Sequence, residues 1–385
     1  MPDAIVIGGG VVGTAAALEL ARAGAEVALL ERAGLAAGAS GASNGLICPP
    51  PEPELEPLWR ASVEAYRALE RETEARFALD TADIGTLILA TEPEQLAELS
   101  RPAPGAQFLD ADAVQEAEPA LSPLALGGLL LPEGWRVHSP TLTAAQAAAA
   151  VAAGARIHTA MEVRRLAPGA AGCAVTTDAG TLHAGHVLLA AGAWTRRLAG
   201  WLGHDLAVRP VRGWLAVTSP GPPLLGRIVI EAGWQLPTGP QPGRGITVEE
   251  LGSGLVPDSG ARAAHRLIAH QAAGGGVILG GSRSAGLHEG AESTAVLEQI
   301  AARACRLLPA VRSREVVATW SGLRPTTPDG LPYIDRLDSH VTVCAGHGSQ
   351  GILTGAGSAR LAVDLMLGQG PFTEPAPFRL GRPLA

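Results

Sequence analysis

Lysine is absent from this sequence of 385 residues, in which all 29 basic residues are arginines. Without an ε-amino group, the chain cannot use a Schiff base, a lysine general base or the lysine of a GxxxxGK phosphate-binding loop. Acidic residues also outnumber basic residues, so the formal net charge is −8. That balance disfavours a nucleic acid or an anionic membrane surface as a partner.

Cysteine is sparse: the chain has four, far apart and without a CxxC pair, namely Cys48, Cys173, Cys305 and Cys344. This spacing excludes a zinc ribbon and a thioredoxin-like redox motif, and no metal site is predicted. Isolated cysteines are typical of free thiols in a reducing compartment, which favours a cytoplasmic location. No run of about twenty apolar residues lacks a charge, so no transmembrane segment is expected. The N-terminus lacks the basic region of a secretory signal.

The N-terminal segment has the pattern of a dinucleotide-binding unit. The apolar run Ala4–Ile7 leads into a glycine-rich turn at residues 8–13, then a helical stretch, Thr14–Arg22. A second apolar run ends on Glu31. Dinucleotide-binding units have these parts in the same order: a strand, a glycine turn, a helix, a strand and an acid. A βαβ turn without a ligand is the alternative, and the complete context disfavours it.

Each part of this unit has a physical role. Gly8 permits the tight turn, Gly10 lets the backbone approach a pyrophosphate, and Gly13 lets the helix pack closely on the strand. The helix N-terminus offers free N–H groups and the positive end of its dipole to phosphates. Glu31 is placed to accept hydrogen bonds from ribose hydroxyls, and its charge disfavours a 2′-phosphate.

The residues that follow Glu31 favour FAD over NAD. Arg32 is followed by a stretch of small residues, hydroxyls and glycines at residues 34–47. An NAD-type domain would normally continue into another helix after a short loop. This stretch suits a backbone that wraps around an extended cofactor, and a flexible surface loop is the alternative.

Further segments carry a family resemblance: IVIGGGVVG, LLER and GASGASNGL near the start, HVLLAAGAWT and RPVRGW in the middle, and WSGLRPTTPDGLPYI and CAGHGSQGILTGAGSARLAVDLM near the end. With these, the chain resembles the FAD-dependent amino-acid oxidoreductases of the D-amino-acid oxidase and glycine oxidase superfamily over nearly its full length. D-Amino-acid dehydrogenases and the catalytic subunits of opine, hydroxyproline and cyanide-forming amine dehydrogenases are similar too.

The resemblance implies an α/β fold with a Rossmann-like FAD-binding domain and a second, mainly antiparallel β-sheet substrate domain. The FAD-binding domain is expected from about residues 1–80, 140–207 and 318–385. The substrate domain is expected from about residues 81–139 and 208–317, where short β-like runs alternate with Pro/Gly-rich loops. The Pro/Gly-rich stretch at residues 237–260 is either a loop over the site or a long connection.

Arg324 is the first candidate for the substrate site. It lies in an apolar segment bounded by glycine and proline, and a buried arginine there needs an anionic partner. Its planar fork suits bidentate recognition of a carboxylate. The resemblance implies that it binds the substrate carboxylate. An internal ion pair with Asp329 or Asp335 is the alternative.

The resemblance also implies which residues contact FAD. The segment at residues 346–353 would face the edge of the flavin ring where negative charge builds on reduction. His347 in this segment is interpreted as a loop residue, and a catalytic base is the less favoured alternative. The expected cofactor-binding residues are Gly8, Gly10, Val11, Val12, Gly13, Glu31, Arg32, Ala39, Ser40, Asn44, Gly45, Leu46, Val163, Ala191, Gly192, Trp194, Gly322, His347, Gly348, Ser349, Gln350, Gly351, Ile352 and Leu353.

Some positions depart from the family pattern. The substrate-side tyrosines typical of the superfamily are missing, because the two tyrosines of this chain fall elsewhere. His265, Trp234 or Arg283 are the candidates to take their place in the pocket. Leu323 and Arg324 stand where monomeric sarcosine oxidases carry a flavin-linked cysteine. FAD is therefore expected to bind noncovalently.

These features predict an FAD-dependent oxidoreductase that oxidises the Cα–N bond of glycine, a D-amino acid or an N-substituted amino acid to an imine. Water would hydrolyse the imine to a 2-oxo acid and ammonia or an amine. One alternative is the catalytic subunit of a multi-subunit dehydrogenase, which passes electrons to a partner subunit. A further alternative is an NAD-dependent dehydrogenase. The expected partners are a small amino-acid or amine substrate and either a second copy of the chain or a dehydrogenase subunit.

Overall fold

A computed structural model describes residues 2–73, 77, 79, 81–101, 105–233, 264–285 and 292–383 of the protein. Trp234 and the predicted loop at residues 237–260 lie outside the described residues. His265 is described only by its backbone, which belongs to a strand.

The helices of the described residues are α1 Val11–Arg22, α2 Glu56–Thr73, α3 Pro93–Leu99, α4 Ala111–Ala117, α5 Ser139–Ala152, α6 Thr195–Gly200, α7 Glu292–Leu307 and α8 Gly351–Leu367. Proline lies in the first turn of α2, α3 and α5, glycine begins α8, and the Asp110 carboxylate caps α4 by accepting the Ala113 N–H. Short 3₁₀ turns lie at Pro53–Leu55, Gly192–Trp194, Pro309–Ser313 and Ala376–Phe378.

The strands form two main sheets. In chain order they are β1 Ala4–Ile7, β2 Val27–Leu30, β3 Leu46–Ile47, β4 Thr86–Ala90, β5 Gln107–Asp110, β6 Gly127–Leu131, β7 Trp135–Arg136, β8 Arg156–His158, β9 Val163–Gly169, β10 Gly172–Thr177, β11 Gly180–Ala184, β12 His186–Leu189, β13 Arg209–Thr218, β14 Ile228–Glu231, β15 Ala264–Gln271, β16 Val277–Ala285, β17 Val316–Thr326, β18 Tyr333–Arg336 and β19 Val341–Ala345.

The first sheet has six strands in the order β18-β19-β12-β1-β2-β8, and only the edge strand β18 is antiparallel to its neighbour. All four residues of β1 are buried, because side chains alternate between two covered faces. Ala4 and Val6 pack with α1, α2, α5 and α8 on one face. Ile5 and Ile7 pack on the other face against a smaller sheet of three strands in the order β11-β10-β9.

The second sheet has eight strands in the order β17-β13-β16-β15-β14-β4-β6-β5, antiparallel except for the β14–β4 pair. Its apolar face packs with α4 and α7 in a separate core. The predicted combination of a Rossmann-like sheet with a second, mainly antiparallel sheet is confirmed.

The segment that carries Arg324 is the long edge strand β17 of the second sheet. It pairs with β13 from Thr326 opposite Arg209 to Val316 opposite Thr218. At its end, Thr326 forms a bridge to His347 in the loop before α8. This bridge joins the second sheet to the loop that follows β19 of the first sheet.

Helices α2 and α8 approach each other closely at Gly357. A Cβ added to this glycine would overlap the backbone of Leu58. The Gly357 N–H donates to the Ser62 hydroxyl at 2.8 Å, and the Tyr66 hydroxyl donates to the Ile352 carbonyl at 2.9 Å. The backbone of α2 cannot rotate aside as a side chain would, so alanine does not fit at Gly357.

We predict that Gly357→Ala lowers the free energy of unfolding by about 1–3 kcal/mol, the range for overpacking a tight contact. Gly200→Ala is the matched control, because an added methyl there meets no atom within contact range. Urea denaturation of both variants measures the effect. A Gly357→Ala protein as stable as the Gly200→Ala protein would contradict the close contact.

Candidate active site

A cavity of about 300 Å³ lies between the two sheets, at the carboxyl ends of β1, β2, β12 and β19. Ligands of doubly wound sheets bind at these ends, and pockets of about this size and larger accept small molecules. The wall includes the N-terminal turns of α1 and α8 on the side of the first sheet. Gly213, Gly281, Gly322 and Arg324 belong to the wall on the side of the second sheet.

The glycine turn brings the N-terminus of α1 to the cavity. Gly8 has a φ of 118°, and a Cβ there would overlap the Ala190 carbonyl. A Cβ on Gly13 would overlap the Gly8 carbonyl oxygen. Gly10 precedes α1 and has no side chain to cap it, so the N–H groups of the first turn other than that of Val11 remain available to a phosphate. Ser40 supports this turn, because its hydroxyl accepts the Val11 N–H at 3.0 Å.

Glu31 is held in a single orientation at the cavity wall. One carboxylate oxygen accepts the Gly9 N–H at 2.7 Å, and the other accepts the Ala33 N–H at 2.8 Å. Each oxygen keeps a further lone pair for a ligand hydroxyl. Beside it, the Arg32 guanidinium stacks 3.7 Å from the centre of the Trp194 ring. A carboxylate and a stacked aromatic side chain therefore border this end of the cavity.

The loop at residues 34–47 is fixed from the second sheet by a histidine that sequence reasoning missed. The His270 ring, on β15, donates from Nε2 to the Asn44 carbonyl at 2.8 Å. Burial lowers the pKa of His270 to about 4, so the ring is neutral near pH 7. Gly45, which follows, has a φ of 73° and lies against the Val137 carbonyl.

The loop before α8 closes the other end of the cavity. The Gly348 N–H donates to the Pro325 carbonyl at 2.8 Å, which ties this loop to β17. His347 is 3 % exposed, and its Nε2 atom has no hydrogen-bond partner among the described residues. Burial lowers the pKa of His347 to about 4. A buried polar atom without a partner at the wall of a cavity fits a bound group that completes its hydrogen bonding.

Arg324 reaches across the second sheet because Gly213 has no side chain. A Cβ on Gly213 would overlap the guanidinium of Arg324. The guanidinium thus crosses β13 and donates from Nη1 to the Ser282 carbonyl on β16 at 3.0 Å. Burial and, second, the charge of Arg283 lower the pKa of Arg324 to about 10, so it stays charged at pH 7.

The alternative of an ion pair between Arg324 and Asp329 or Asp335 is wrong. Asp329 pairs with Arg382, with 2.6 Å between Nε and Oδ2. Asp335 accepts the Leu380 N–H at 2.9 Å. Within the part of the chain that the structure describes, no carboxylate forms an ion pair with Arg324. Its charge therefore faces the cavity rather than an internal anion.

Two further polar groups lie at this end. Arg283, which was an alternative pocket residue, lines the cavity, and its Nη2 atom is 3.4 Å from the Ser349 hydroxyl. The Gln350 amide donates to Glu52 at 3.2 Å. Burial raises the pKa of Glu52, although the charge of Arg283 opposes the shift. Glu52 was not predicted, since nothing but its place in a proline-rich segment marks it in the sequence.

The structure brings most of the predicted site residues to one cavity. The predicted residues that line it are Gly8, Gly10, Val11, Val12, Glu31, Arg32, Ala39, Ser40, Asn44, Leu46, Val163, Ala191, Gly192, Trp194, Gly322, Arg324, His347, Gly348, Ser349, Gln350, Gly351, Ile352 and Leu353. Gly13 and Gly45 are not in its wall and instead permit close backbone contacts. The side chain of His265 does not belong to the part of the chain that the structure describes.

Among the described residues, no group of three or more His, Cys, Asp or Glu side chains could hold a metal ion. No helix in the described ranges has both the length and the apolar character to cross a bilayer.

Residues 3–365 match the family described as DAO, FAD dependent oxidoreductase. The chain belongs to this family. It is 31% identical to the glycine oxidase of Geobacillus kaustophilus (strain HTA426), over 99% of this chain and 97% of that protein. It is 29% identical to the glycine oxidase of Pseudomonas aeruginosa, over 97% of each chain. The crystal structure of the G. kaustophilus glycine oxidase superposes with a TM-score of 0.83 at 28% identity, covering 100% of this chain and 99% of that one.

As a member of the DAO family, the protein is an FAD-dependent oxidoreductase, and the alternative of an NAD-dependent dehydrogenase is wrong. The cavity fits this cofactor. The uncapped N-terminus of α1 would hold the pyrophosphate, Glu31 the ribose, and the loop around His347 the flavin ring. FAD binds noncovalently, and the thiols of Cys48 and Cys344 at the wall are un-ionised because burial raises their pKa.

We predict that Glu31→Ala weakens FAD binding by about 10- to 100-fold, the cost of losing hydrogen bonds to a charged group. The turnover number at saturating FAD should stay close to that of the parent, because the ribose lies far from the flavin ring. Titration of apoprotein with FAD, followed by flavin fluorescence, measures the affinity. Glu26→Ala, which removes an exposed carboxylate before the same strand, is the control. Parent-like affinity of Glu31→Ala would remove Glu31 from the ribose site.

A second prediction concerns acid stability. His270 and His347 have native pKa values of about 4, below the ordinary value of 6.5, so the unfolded chain binds more protons between these two values. The free energy of unfolding should therefore fall as the pH falls from 6.5 to 4, by up to about 1.4 kcal/mol per pH unit for each histidine. His270→Gln should reduce that slope, and His183→Gln, at an exposed site, should not. Equal slopes in urea-unfolding series of the two variants would overturn the assignment.

Proposed function

We propose that this FAD-dependent oxidoreductase oxidises the Cα–N bond of a small amino acid to an imine. Glycine, a D-amino acid or an N-substituted amino acid is the substrate class, and water hydrolyses the imine to a 2-oxo acid and ammonia or an amine. The observation that carries the proposal is the Arg324 guanidinium, which faces the cavity with no carboxylate partner among the described residues. A substrate carboxylate would supply that partner.

Arg324 orients the substrate as well as binding it. The fork of a guanidinium makes two parallel hydrogen bonds to a carboxylate and so fixes the plane of that group. Because the Ser282 carbonyl holds one end of the fork, the direction in which the carboxylate docks is limited. The substrate Cα is thereby held at one place between Arg324 and the loop before α8. When bound, FAD supplies the acceptor for the two electrons released from the Cα–H bond.

His347 is not proposed as a base. Its pKa of about 4 lies far below the range in which a general base works efficiently near pH 7. We assign to His347 the role of a neutral hydrogen-bonding group at the wall of the flavin end. We assign the role of proton acceptor from the substrate ammonium to Glu52, which lines the same cavity and whose pKa is raised by burial.

The similarity to glycine oxidases over the full length of both chains supports a small amino acid as the substrate.

We predict that Arg324→Leu lowers kcat/KM for an amino-acid substrate by the equivalent of about 2–5 kcal/mol, the cost of truncating a buried charge pair. Arg324→Lys should recover a part, because an ammonium cannot reproduce the fork. Gly213→Ala should also lower kcat/KM, because its methyl group displaces the Arg324 guanidinium. Gly274→Ala, where the added methyl meets no atom, is its control. Wild-type flavin reduction by Arg324→Leu would show that the carboxylate binds elsewhere.

The experiment that tests the function is a stopped-flow, anaerobic reduction of the bound flavin by D-, L- and N-methyl amino acids, followed by admission of oxygen. Bleaching of the flavin absorbance by an amino acid supports the proposal, and the absence of bleaching throughout the series contradicts it. Rapid reoxidation by oxygen indicates an oxidase. Reoxidation only by an artificial electron carrier favours the dehydrogenase with a partner subunit.

We also propose a cytoplasmic location and the predicted domain division. The first is supported by four free cysteines, three of them buried, which fit a reducing compartment. For the second, the six-stranded and eight-stranded sheets correspond to the FAD and substrate domains. Strand β17 lies in the eight-stranded sheet although residues from 318 onward were expected with FAD, so it is where the two domains meet.

A further inference from the structure

Three aliphatic side chains of the second sheet form a continuous surface in the wall of the cavity. They are Leu215 on β13, Ile268 on β15 and Ile230 on β14, and we call them the aliphatic shelf. Ile230 lies opposite Ile268, and Ile268 lies opposite Gly280 on β16. A Cβ on Gly280 would overlap the Leu215 side chain, so Leu215 covers this glycine. Because residues directly opposite each other project from the same face of a sheet, the shelf runs across β13, β16, β15 and β14.

The shelf begins next to the place where the Arg324 guanidinium lies. That guanidinium lies over Gly213, and Leu215 follows two residues later on the same strand. Side chains two residues apart in a strand share a face, and the two residues span about 7 Å. A substrate whose carboxylate binds Arg324 therefore brings a substituent of two or three carbons, carried on its Cα or its nitrogen, to the edge of the shelf.

The accessible part of the shelf faces the cavity. Leu215 and Ile230 are each 5 % exposed. Ile268 belongs to an interior strand of the sheet and is nevertheless only partly buried, and it lines the cavity. Leu46 and Cys48 line the cavity too, in the core against which Ile268 packs, and burial raises the pKa of the Cys48 thiol to about 12. The described neighbours of Ile268 in this wall are thus apolar or neutral.

Such a surface distinguishes a methyl group from a hydroxyl group of the same size. The three hydrocarbon side chains have no atom that could donate or accept a hydrogen bond. An aliphatic substituent that covers them leaves water, which is favourable in proportion to the apolar area buried. A hydroxyl group in the same place exchanges its hydrogen bonds to water for contacts with hydrocarbon, which is unfavourable.

We propose that the aliphatic shelf binds the substituent on the substrate Cα or nitrogen, and that the preferred substrates carry an aliphatic rather than a hydroxylated substituent. Ile268 is the residue that determines this preference, because its accessible surface is the part of the shelf that the substituent covers. The inference rests on the proposed function, since it assigns a substrate class to the same site.

Matched substrates test the inference. D-Homoserine has a hydroxyl group where D-norvaline has its terminal methyl group, and N-(2-hydroxyethyl)glycine differs from N-propylglycine in the same way. We expect the intact holoenzyme to have a kcat/KM about 10-fold or more higher for the aliphatic member of at least one pair, the range for one group in an apolar pocket. Perturbation of the flavin absorbance by pentanoate and by 4-hydroxybutanoate measures the same preference without turnover, and pentanoate should bind more tightly.

Ile268→Thr should lower the aliphatic-to-hydroxyl ratio by about 10-fold or more, because it shortens the shelf and offers a hydrogen-bond partner to the hydroxyl group. Its affinity for FAD should equal that of the parent. Ile157→Thr is the matched control, because Ile157 is a partly buried isoleucine of β8 that is not in the cavity wall. Its ratio should equal that of the parent.

Ile268→Val is a milder variant that keeps the shelf apolar and removes one methylene group. It should keep the preference for a methyl over a hydroxyl group. The space that it opens should raise kcat/KM for D-norleucine relative to D-norvaline, or for N-butylglycine relative to N-propylglycine, by several-fold over the parent.

The outcomes separate the substrate class from the proposed function. If no amino acid reduces the flavin, the proposed function fails, and the two unreactive carboxylates still decide whether the shelf prefers a methyl group. If amino acids reduce the flavin and neither aliphatic member is preferred, only the role of the shelf is overturned.

Two results with the variants would also overturn the assignment. One is an unchanged ratio in Ile268→Thr. The other is a loss of FAD affinity in Ile268→Thr without a change in the ratio, which would place the shelf against the flavin. Should Ile268→Thr fail to fold, Ile268→Val decides, and a parent-like preference between the longer and the shorter substituent would overturn the role of Ile268.

Discussion

The placement of the Arg324 guanidinium over Gly213 links the two sheets to the chemistry of the site. A charged group at this depth needs acceptors. The described residues supply the Ser282 carbonyl, and the guanidinium also lines the cavity. One residue further along the strand, the Pro325 carbonyl accepts the Gly348 N–H from the loop before α8. The group that would hold the carboxylate and the loop at the flavin end are thereby attached to adjacent residues of β17, which limits how far apart they can lie.

Elsewhere in the cavity, as at Gly213, residues without a side chain lie where other groups must come into close contact. Gly8 and Gly13 admit contacts that any side chain would prevent, and so place the N-terminus of α1 at the phosphate end. The Asn44 carbonyl, held by His270 across the two sheets, fixes the loop between these ends. Side chains with fixed hydrogen-bond partners leave little for a ligand to reorganise, which lowers the entropic cost of binding.

Much of this arrangement could be predicted from local sequence. The order of strand, glycine turn, helix, strand and Glu31 is a short-range pattern. An arginine in the apolar segment between Gly322 and Pro325 is an unusual residue type for such a segment, and so it can be recognised as a candidate from the sequence. The buried strand β1 also follows from its short apolar run. These features depend on neighbours a few residues apart, for which local chemistry is decisive.

The rest depends on contacts between distant segments. Nothing near Gly213 in the sequence shows that a side chain from residue 324 crosses it, and His270 gives no local sign that it holds residue 44. Arg283 was one of three alternatives for the pocket, because its position over the cavity is set by the register of β16 against β13. His347 was a candidate base by residue type alone, and the burial that lowers its pKa to about 4 disfavours that alternative.

The most direct test of the central claim is a crystal structure of the FAD-bound protein with an unreactive carboxylate such as acetate at the substrate end. The account predicts both carboxylate oxygens within hydrogen-bond distance of the Arg324 guanidinium, which still lies over Gly213 and still donates to the Ser282 carbonyl. An Arg324 side chain paired with a protein carboxylate, or an acetate bound in the cavity away from Arg324, would contradict it.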